Sequence, residues 1–292
     1  MNPDATADLP GDQRSLASTL APLLRDACEG RLGEIAWFKA DWQRGGAATG
    51  IADYQNSDGA TVQVVLKLPV VQRELTWMRR LQSTDDPSPI VPRLYASGEE
   101  LGGYDLAWIV IEHLPHGPLG LRWHADHVPR IAKAAARFQK AAKAFPVDQP
   151  GRTEPWDEML RESLEIVRIN PVEEQARWIA AVKKLRANLD PLVTEWRARP
   201  VDEWQHGDLH IANAMSRISM ETGEVCLIDL AEVHAGHWLE DAVYLERQLW
   251  ARPERMKPLK PVKAIANARK QLGLPVESDY PRLAMIRRAL LA

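Results

Sequence analysis

The residues best suited to chemistry lie in the stretch HGDLHIAN, which runs from His206 to Asn213. Asp208 is followed five positions later by Asn213, and Asp229 comes 16 positions after that asparagine, at the end of a predicted hairpin strand. Phosphoryl transfer from ATP needs such a set: one carboxylate orients the acceptor hydroxyl and takes its proton, while an amide oxygen and a second carboxylate hold Mg²⁺ on the phosphates. We therefore expect Asp208 to act on the acceptor and Asn213 and Asp229 to bind the metal.

The order of these residues resembles that of a known family. HGDLHxxN followed by a strand that ends in Ile-Asp is similar to the catalytic segment of the aminoglycoside phosphotransferase and choline kinase group. The resemblance covers roughly residues 33–250. It implies an α+β, bilobal, protein-kinase-like fold, with a small antiparallel-sheet N-lobe and a larger helical C-lobe.

The resemblance also implies a phosphate-binding lysine. VVLKLP (64–69) matches the family's lysine strand, so Lys67 is expected to contact the nucleotide phosphates. RELTWMRRL (73–81) matches the helix that follows, which makes Glu74 the expected partner of that lysine. The turn Arg44-Gly45-Gly46 does not form GxGxxG, and it is a candidate phosphate loop only because a lysine strand follows two strands later.

The resemblance places the adenine contacts and the support of the catalytic loop as well. IEHLPHG (111–117) matches the hinge, where the carbonyl of Glu112 and the N–H of Leu114 are expected to face adenine. Asp241 matches the aspartate that braces the catalytic loop, and His206 is expected to pack and hydrogen-bond within that loop.

The sequence departs from the family at two points. Gly236-His237-Trp238 stands where the family often has Gly-Asp-Pro, and Leu230 rather than an aromatic residue follows Asp229. An alternative to a kinase is therefore a nucleotide-binding pseudokinase that acts as a scaffold. The presence of Lys67, Asp208, Asn213 and Asp229 together argues against it, because a scaffold need not keep all four. The absence of GxGxxG, HRD and DFG argues against a protein kinase.

Hydrophobic periodicity and turn residues predict the elements that must position these groups. We expect a tail and helix in 1–32, a nucleotide-binding N-lobe in 33–114, and a C-lobe with the catalytic loop and acceptor pocket in 115–292. The N-lobe should contain a helix at 70–83 and strands at 35–43, 48–55, 61–69, 91–98 and 106–114. The C-lobe should contain a hairpin of 213–219 and 224–230, and helices that include 238–252, 258–272 and 280–291.

One further helix carries a specific start signal. Asn170 suits the N-cap, Pro171 the first helical position and Glu173 a capping box, and Pro200 ends the segment. This pattern predicts a helix that begins at residue 170.

Composition excludes several classes of protein. The 292 residues carry a net charge of −3, which disfavours nucleic acid as a partner. Only two cysteines occur, so neither a disulfide framework nor a thiolate metal site is expected. No apolar run approaches the roughly 20 residues that span a bilayer, and the polar start MNPDATADLPGDQ lacks a signal-peptide pattern. We therefore expect a soluble, cytoplasmic protein without a membrane partner.

Two other patterns are better explained by structure than by ligands. All eight histidines fall in close pairs, but the pairs have no nearby cysteines, and His206 and His210 already occupy kinase-like positions. The 11 tryptophans are scattered along the chain, which favours packing over an aromatic cage for a quaternary ammonium.

The sequence thus predicts an ATP-dependent kinase with Mg²⁺ as cofactor and a small-molecule hydroxyl as acceptor. Basic residues outnumber acidic ones in 120–200 and in 230–292, where the acceptor pocket is expected. We therefore expect a neutral or anionic acceptor, such as a hydroxylated sugar, amino alcohol or amino acid, over a polycationic antibiotic. The sequence leaves the oligomeric state open.

Overall fold

The computed structural model describes residues 11–38, 47–82 and 89–292, apart from the side chains of 11–18 and 256–257. Helix α1 (Gly11–Ala27) lies within the range 1–32 that was expected to hold a tail and a helix. Strand β1 covers Ala36–Phe38 of the predicted strand 35–43. The candidate phosphate loop Arg44-Gly45-Gly46 lies outside the described residues.

The sheet is antiparallel and five-stranded, in the order β1-β2-β3-β5-β4. Its remaining strands and the helix between them fall where the sequence predicts them: β2 (Ala48–Gln55), β3 (Thr61–Leu68), α2 (Gln72–Arg80), β4 (Leu94–Gly98) and β5 (Trp108–Glu112). Because side chains alternate across a strand, Val64, Leu66 and Leu68 of β3 are buried in the core while Lys67 projects from the opposite face. That face is the one that carries the chemistry.

Apolar side chains cover both faces of the sheet. On one face, Leu20 and Leu24 of α1 belong to the core that contains Leu66 and Val110. On the other, Leu75 of α2 packs in a smaller cluster with Ile109 and its neighbours. Helix α2 begins only four residues after β3 ends, which allows Glu74 to lie near Lys67.

The rest of the described chain is mainly helical, with short strands at the catalytic segment. The helices are α3 (His127–Ala142), α4 (Trp156–Ile169), α5 (Gln175–Ala187), α6 (Leu189–Arg197), α7 (Leu239–Arg247), α8 (Pro253–Leu259), α9 (Pro261–Gln271) and α10 (Tyr280–Leu291). The strands are β6 (Glu203–Gln205), β7 (Ala214–Ser216), β8 (Val225–Leu227) and β9 (His234–Gly236). The pair β7–β8 is the predicted hairpin, and β6 pairs with β9.

The chain packs as two compact units. The first, here called the sheet unit, comprises residues up to Ala134 together with Ile211–Val233. The second, the helical unit, comprises Ala135–His210 and His234–Ala292. The expected domain limits of 1–32, 33–114 and 115–292 stay a prediction.

Three helix predictions differ from the structure. Residues 170–174 lie between α4 and α5, so Asn170 ends one helix where the capping pattern predicted it would begin another. Its backbone N–H donates to the carbonyl of Ile166 at 3.0 Å, and its side-chain amide donates to the same oxygen at 2.9 Å. The predicted helix 238–252 stops at Arg247. The predicted helix 258–272 is divided between α8 and α9, which are separated at Lys260, whose φ of 43° is left-handed.

Within the described ranges, no helix is both long enough and apolar enough to cross a bilayer.

Candidate active site

In the sheet unit, three of the predicted site residues meet around one ammonium group. Nζ of Lys67 lies 2.9 and 2.8 Å from the two carboxylate oxygens of Glu74 and 3.5 Å from Oδ1 of Asp229. The Glu74 side chain is only 4% exposed, whereas that of Asp229 is 43% exposed. Glu74 thus fixes the lysine from the protein side, whereas the Asp229 side chain is half-exposed.

The electrostatics of this cluster favour a charged lysine. Burial lowers the pKa of Lys67, but the attraction of Glu74 and Asp229 outweighs it and the net pKa is raised. The ammonium therefore stays charged at neutral pH. Moving a cation from water into the protein interior is costly unless opposite charges compensate it, which explains why two carboxylates accompany Lys67.

The backbone at Asp229 is held in an unusual conformation. Its φ of 64° and ψ of 75° are left-handed, a region that costs a non-glycine residue about 1–3 kcal/mol and is enriched at functional sites. This turn follows β8 directly and aims the carboxylate at Lys67.

The β7–β8 hairpin brings Asn213 to the same end as Asp229. Asn213 immediately precedes β7, and Ala214 pairs with Leu227 in the hairpin register. The backbone N–H of Ile228 donates to the carbonyl of Asn213 at 3.1 Å. In an antiparallel hairpin the start of one strand and the end of the next lie side by side, so both candidate metal ligands lie at one edge.

The predicted hinge is tied into the sheet unit through its glutamate. The backbone N–H of Glu112 donates to the carbonyl of Arg93 at 2.8 Å, and the Glu112 carboxylate accepts from the Arg217 side chain at 2.8 Å. Leu114 is buried two residues further on. The Glu112 side chain is thus committed within the protein, and the adenine contacts of the Glu112 carbonyl and the Leu114 N–H stay predictions.

In the helical unit, Asp208 is held by two side chains of the same unit. The Tyr244 hydroxyl donates to Oδ1 of Asp208 at 2.8 Å, and Nε2 of His210 lies 3.3 Å from Oδ2. The hydrogen bond from His210 lowers the pKa of Asp208 most, burial opposes it, and Tyr244 adds to the lowering, to a pKa of about 2. Asp208 is therefore fully ionised at neutral pH.

The backbone of the catalytic segment rests on Asp241. The N–H groups of His206 and Gly207 donate to the two oxygens of this buried carboxylate at 2.8 and 2.9 Å. Burial raises the pKa of Asp241, and the two N–H donors counter this by favouring its ionised form. Gly207 has a φ of 82°, which only glycine adopts without strain, so the sequence HGD has a backbone reason for its middle residue.

His206 is fully buried, and its ring meets Phe138 edge-on at 5.9 Å. Its Nδ1 lies 3.4 Å from the backbone N–H of Asp208. This geometry agrees with packing and local hydrogen bonding; the functional roles of His206, Asp208 and Asp241 stay predictions.

Sequence reasoning missed two residues with direct contacts to the site. Tyr244 lies three positions after Asp241 on α7, and the i, i+3 spacing that puts both on one helix face was a usable signal. Arg217 contacts Glu112 across 105 positions, and no local pattern in the sequence indicates that pair.

The chain matches the phosphotransferase enzyme family over residues 61–285. It therefore belongs to this family, and the sequence-based assignment is confirmed, as is the prediction of a phosphotransferase with a hydroxyl acceptor. No curated protein matches the chain significantly.

Solved structures of aminoglycoside phosphotransferases share the fold. A spectinomycin phosphotransferase in complex with ADP and spectinomycin is 14% identical with a TM-score of 0.58, over 94% of this chain and 84% of the other. A protein of Ralstonia eutropha JMP134 assigned to the aminoglycoside phosphotransferases is 17% identical with a TM-score of 0.57, over 94% and 86%. At such identities the likeness shows the fold, and it confirms the predicted α+β, protein-kinase-like class.

Proposed function

We propose that this protein is an ATP-dependent small-molecule kinase that transfers the γ-phosphoryl group to a hydroxyl of a small metabolite or antibiotic. The observation that carries the proposal is the Lys67 ammonium held between the buried Glu74 and the exposed Asp229. A charged lysine that faces a half-exposed carboxylate suits a site for polyphosphate and its metal. A purely structural ion pair does not require the strained, half-exposed Asp229.

The donor set of the hairpin edge fits Mg²⁺. Mg²⁺ prefers hard oxygen ligands and is bound through one or two carboxylates plus substrate phosphates. Asp229 supplies a carboxylate of which 43% is exposed, and Asn213 supplies an amide oxygen from the same hairpin edge. Bound Mg²⁺ would neutralise charge that develops on the phosphates.

Asp208 is proposed to orient the acceptor hydroxyl and to receive its proton. A carboxylate with a pKa of about 2 is a weak base, so orientation is the larger part of this role. That suits a loose phosphoryl-transfer transition state, in which the nucleophile needs little deprotonation before the bond to the leaving oxygen weakens. The donors Tyr244 and His210 keep the carboxylate ionised and fix its rotamer.

The acceptor class is open to two proposals. The basic excess of the helical segments favours a neutral or anionic acceptor such as a sugar, amino alcohol or amino acid. A cleft of about 520 Å³ in the helical unit favours a cationic one instead, because carboxylates outnumber cations among its lining side chains: Glu154, Asp157, Glu158 and Asp190 against Arg197. Three of these carboxylates are already paired, Glu154 with Arg287, Asp157 with Arg186 and Glu158 with Arg161. We therefore retain the neutral or anionic class as the first proposal.

The test is ATP consumption with Mg²⁺ across a panel of sugars, amino alcohols, amino acids and aminoglycosides. Asp208→Asn is the matched control, since it should bind ATP and turn over the acceptor about 10²–10⁴-fold more slowly. Acceptor-dependent turnover in the wild type alone supports the kinase. ATP binding without turnover on any acceptor would support the pseudokinase alternative, and turnover on aminoglycosides alone would reverse the order of the two acceptor classes.

A further inference from the structure

The guanidinium of Arg217 joins three separate segments of the sheet unit. Its Nε and Nη2 donate to both carboxylate oxygens of Glu112 at 2.8 Å each. Its Nη1 donates to the carbonyl of Pro89 at 2.8 Å, and Nη2 also donates to the carbonyl of Val91 at 3.0 Å. The two side chains are only 20% and 18% exposed. A paired fork of this kind fixes geometry as well as charge, and a lysine cannot reproduce it.

Arg217 also has a defined place in the chain. It directly follows β7, and this hairpin has Asn213 at its start and Asp229 just beyond its end. Its partner Glu112 is the last residue of β5, the position predicted to present a carbonyl to adenine. One side chain therefore connects the segment for the base of the nucleotide to the segment for its metal-bound phosphates.

Backbone contacts also bring the same segments together, and they hold the main chain of Glu112 but supply no cation for its carboxylate. The N–H of Ser216 donates to the carbonyl of His116 at 2.7 Å, and the N–H of Leu227 donates to the carbonyl of Ile90 at 2.7 Å. The Glu112 carboxylate accepts from the backbone N–H of Arg93 at 3.1 Å, and Arg217 supplies its charged partner. Loss of Arg217 would leave that carboxylate largely buried without a cation, so the end of β5 would shift to hydrate it.

We infer that Arg217 is a positioning residue for nucleotide binding: it sets the spacing between the adenine-binding carbonyl of Glu112 and the metal-binding edge of the β7–β8 hairpin. This inference rests on the proposed function, because it concerns a ligand that must reach both ends. A ligand that contacts both ends gains affinity only when their spacing matches its own length. A ligand that contacts the phosphate end alone is indifferent to that spacing.

The chain provides a matched control in Arg130. Its guanidinium donates to the carbonyls of Met220, Thr222 and Gly223, at 2.7, 2.8 and 3.0 Å, in the turn of the same hairpin. Like Arg217, it acts at the turn end of the hairpin, away from Asn213 and Asp229, but its partners are carbonyls of the turn and not the Glu112 carboxylate. Arg130→Met should reduce stability without changing the spacing.

The experiment compares the Kd of MgATP with that of Mg²⁺-tripolyphosphate in the full-length protein by calorimetry, with Tm measured beside both. In Arg217→Met we expect the Kd of MgATP to rise about tenfold, the effect of losing one charged hydrogen-bond network. The Kd of Mg²⁺-tripolyphosphate should stay within twofold. Arg217→Lys should give an intermediate rise, and it serves as the test if the methionine variant does not fold.

Glu112→Gln and the double variant with Arg217→Met complete a cycle, in which the two effects on MgATP should be strongly non-additive. Equal losses for both ligands in Arg217→Met, or the same selective loss in Arg130→Met, would overturn the inference. So would an unchanged Kd of MgATP in Arg217→Lys. If the wild type binds no MgATP, both the proposed function and the inference are wrong. If the wild type binds MgATP but the variants keep its selectivity between MgATP and Mg²⁺-tripolyphosphate, only the inference is wrong.

Discussion

The sheet unit and the helical unit hold the carboxylates of the predicted site in different ways. In the sheet unit, Glu74 and Asp229 flank a cation, and the contacts are between charged side chains. In the helical unit, Asp208 accepts from the neutral hydroxyl of Tyr244, and Asp241 accepts from two backbone N–H groups. The first arrangement pairs carboxylates with a cation, whereas the second holds them mainly through hydrogen-bond donors.

The difference follows from what each group is proposed to meet. A site for polyanionic phosphate needs a cation that is already ordered, and Glu74 orders Lys67 without exposing itself. A site for a neutral hydroxyl needs an acceptor that keeps its charge, and neutral donors provide this without competing for the proton. Loss of the carboxylate that orients the substrate hydroxyl should therefore reduce turnover. Loss of the phosphate-binding cation or of a metal ligand should reduce nucleotide binding.

The largest effect is expected for Asp208→Asn. General-base and orienting groups contribute about 10²–10⁴-fold to rate, so kcat should fall by about that factor while the Kd of ATP stays unchanged. Steady-state kinetics and ATP calorimetry measure the two quantities. Asparagine still accepts a hydrogen bond from Tyr244, which makes misfolding an unlikely source of the loss, and an unchanged Tm is the control. A kcat of the variant within threefold of the wild-type kcat would contradict the assignment of Asp208.

Asp229→Ala should reduce the Mg²⁺-dependent part of nucleotide binding more than Asn213→Ala does. Asp229 supplies a charged oxygen, whereas Asn213 supplies a neutral one. Residues that only hydrogen-bond to a metal ligand contribute about 10–100-fold to metal affinity, so loss of the Asp229 carboxylate itself should lower Mg²⁺ affinity by about 100-fold or more. Titration of ATP binding with Mg²⁺ measures this directly. Equal magnesium dependence in Asp229→Ala and wild type contradicts the metal role.

Lys67→Met should raise the Kd of ATP by about 10- to 100-fold, the value of one or two charged hydrogen bonds. Glu74→Gln should raise it less, since an amide oxygen still accepts from Nζ and only the charge is lost. The measurement compares the Kd of ATP in Lys67→Met with that in Glu74→Gln. A larger loss in Glu74→Gln than in Lys67→Met would show that Glu74 acts on the nucleotide by some route other than the lysine.

Motif spacing and the family resemblance indicated the roles of these residues, whereas their positions in the fold follow from local signals. Lys67 and Glu74 lie seven positions apart on adjacent elements, and strand alternation alone puts Lys67 on the face away from Leu66 and Leu68. The hairpin register likewise follows from two short apolar runs and a turn, so the neighbourhood of Asn213 and Asp229 was predictable. Such features depend on backbone periodicity and need no knowledge of distant packing.

The remainder could not be derived in this way because packing decides it. Asn170-Pro171 reads as a helix start, but α4 ends there, and the Asn170 side chain donates to Ile166 on the helix that precedes it. The Arg217–Glu112 pair depends on how the hairpin lies against the end of β5. Tyr244 falls between these cases, since its helical spacing from Asp241 was visible while its contact with Asp208 was not.

The smallest effect, and the sharpest test of the neutral-donor arrangement, is expected for Tyr244→Phe. Loss of one neutral hydrogen bond corresponds to about two- to tenfold, so kcat should fall by that factor with the Kd of ATP unchanged.

The Tyr244 hydroxyl also helps to lower the pKa of Asp208 to about 2, so its removal should raise that pKa toward its usual 3.8. A lowered pKa stabilises the folded state above the unfolded pKa, and this stability is lost as the pH falls through the folded value. The Tm difference between wild type and Tyr244→Phe should therefore be full at pH 7 and should shrink as the pH is lowered from about 4 toward 2. A difference that stays constant over that range would mean that Tyr244 only packs in the helical unit, and the pKa of Asp208 would then be set by His210 and the surrounding backbone.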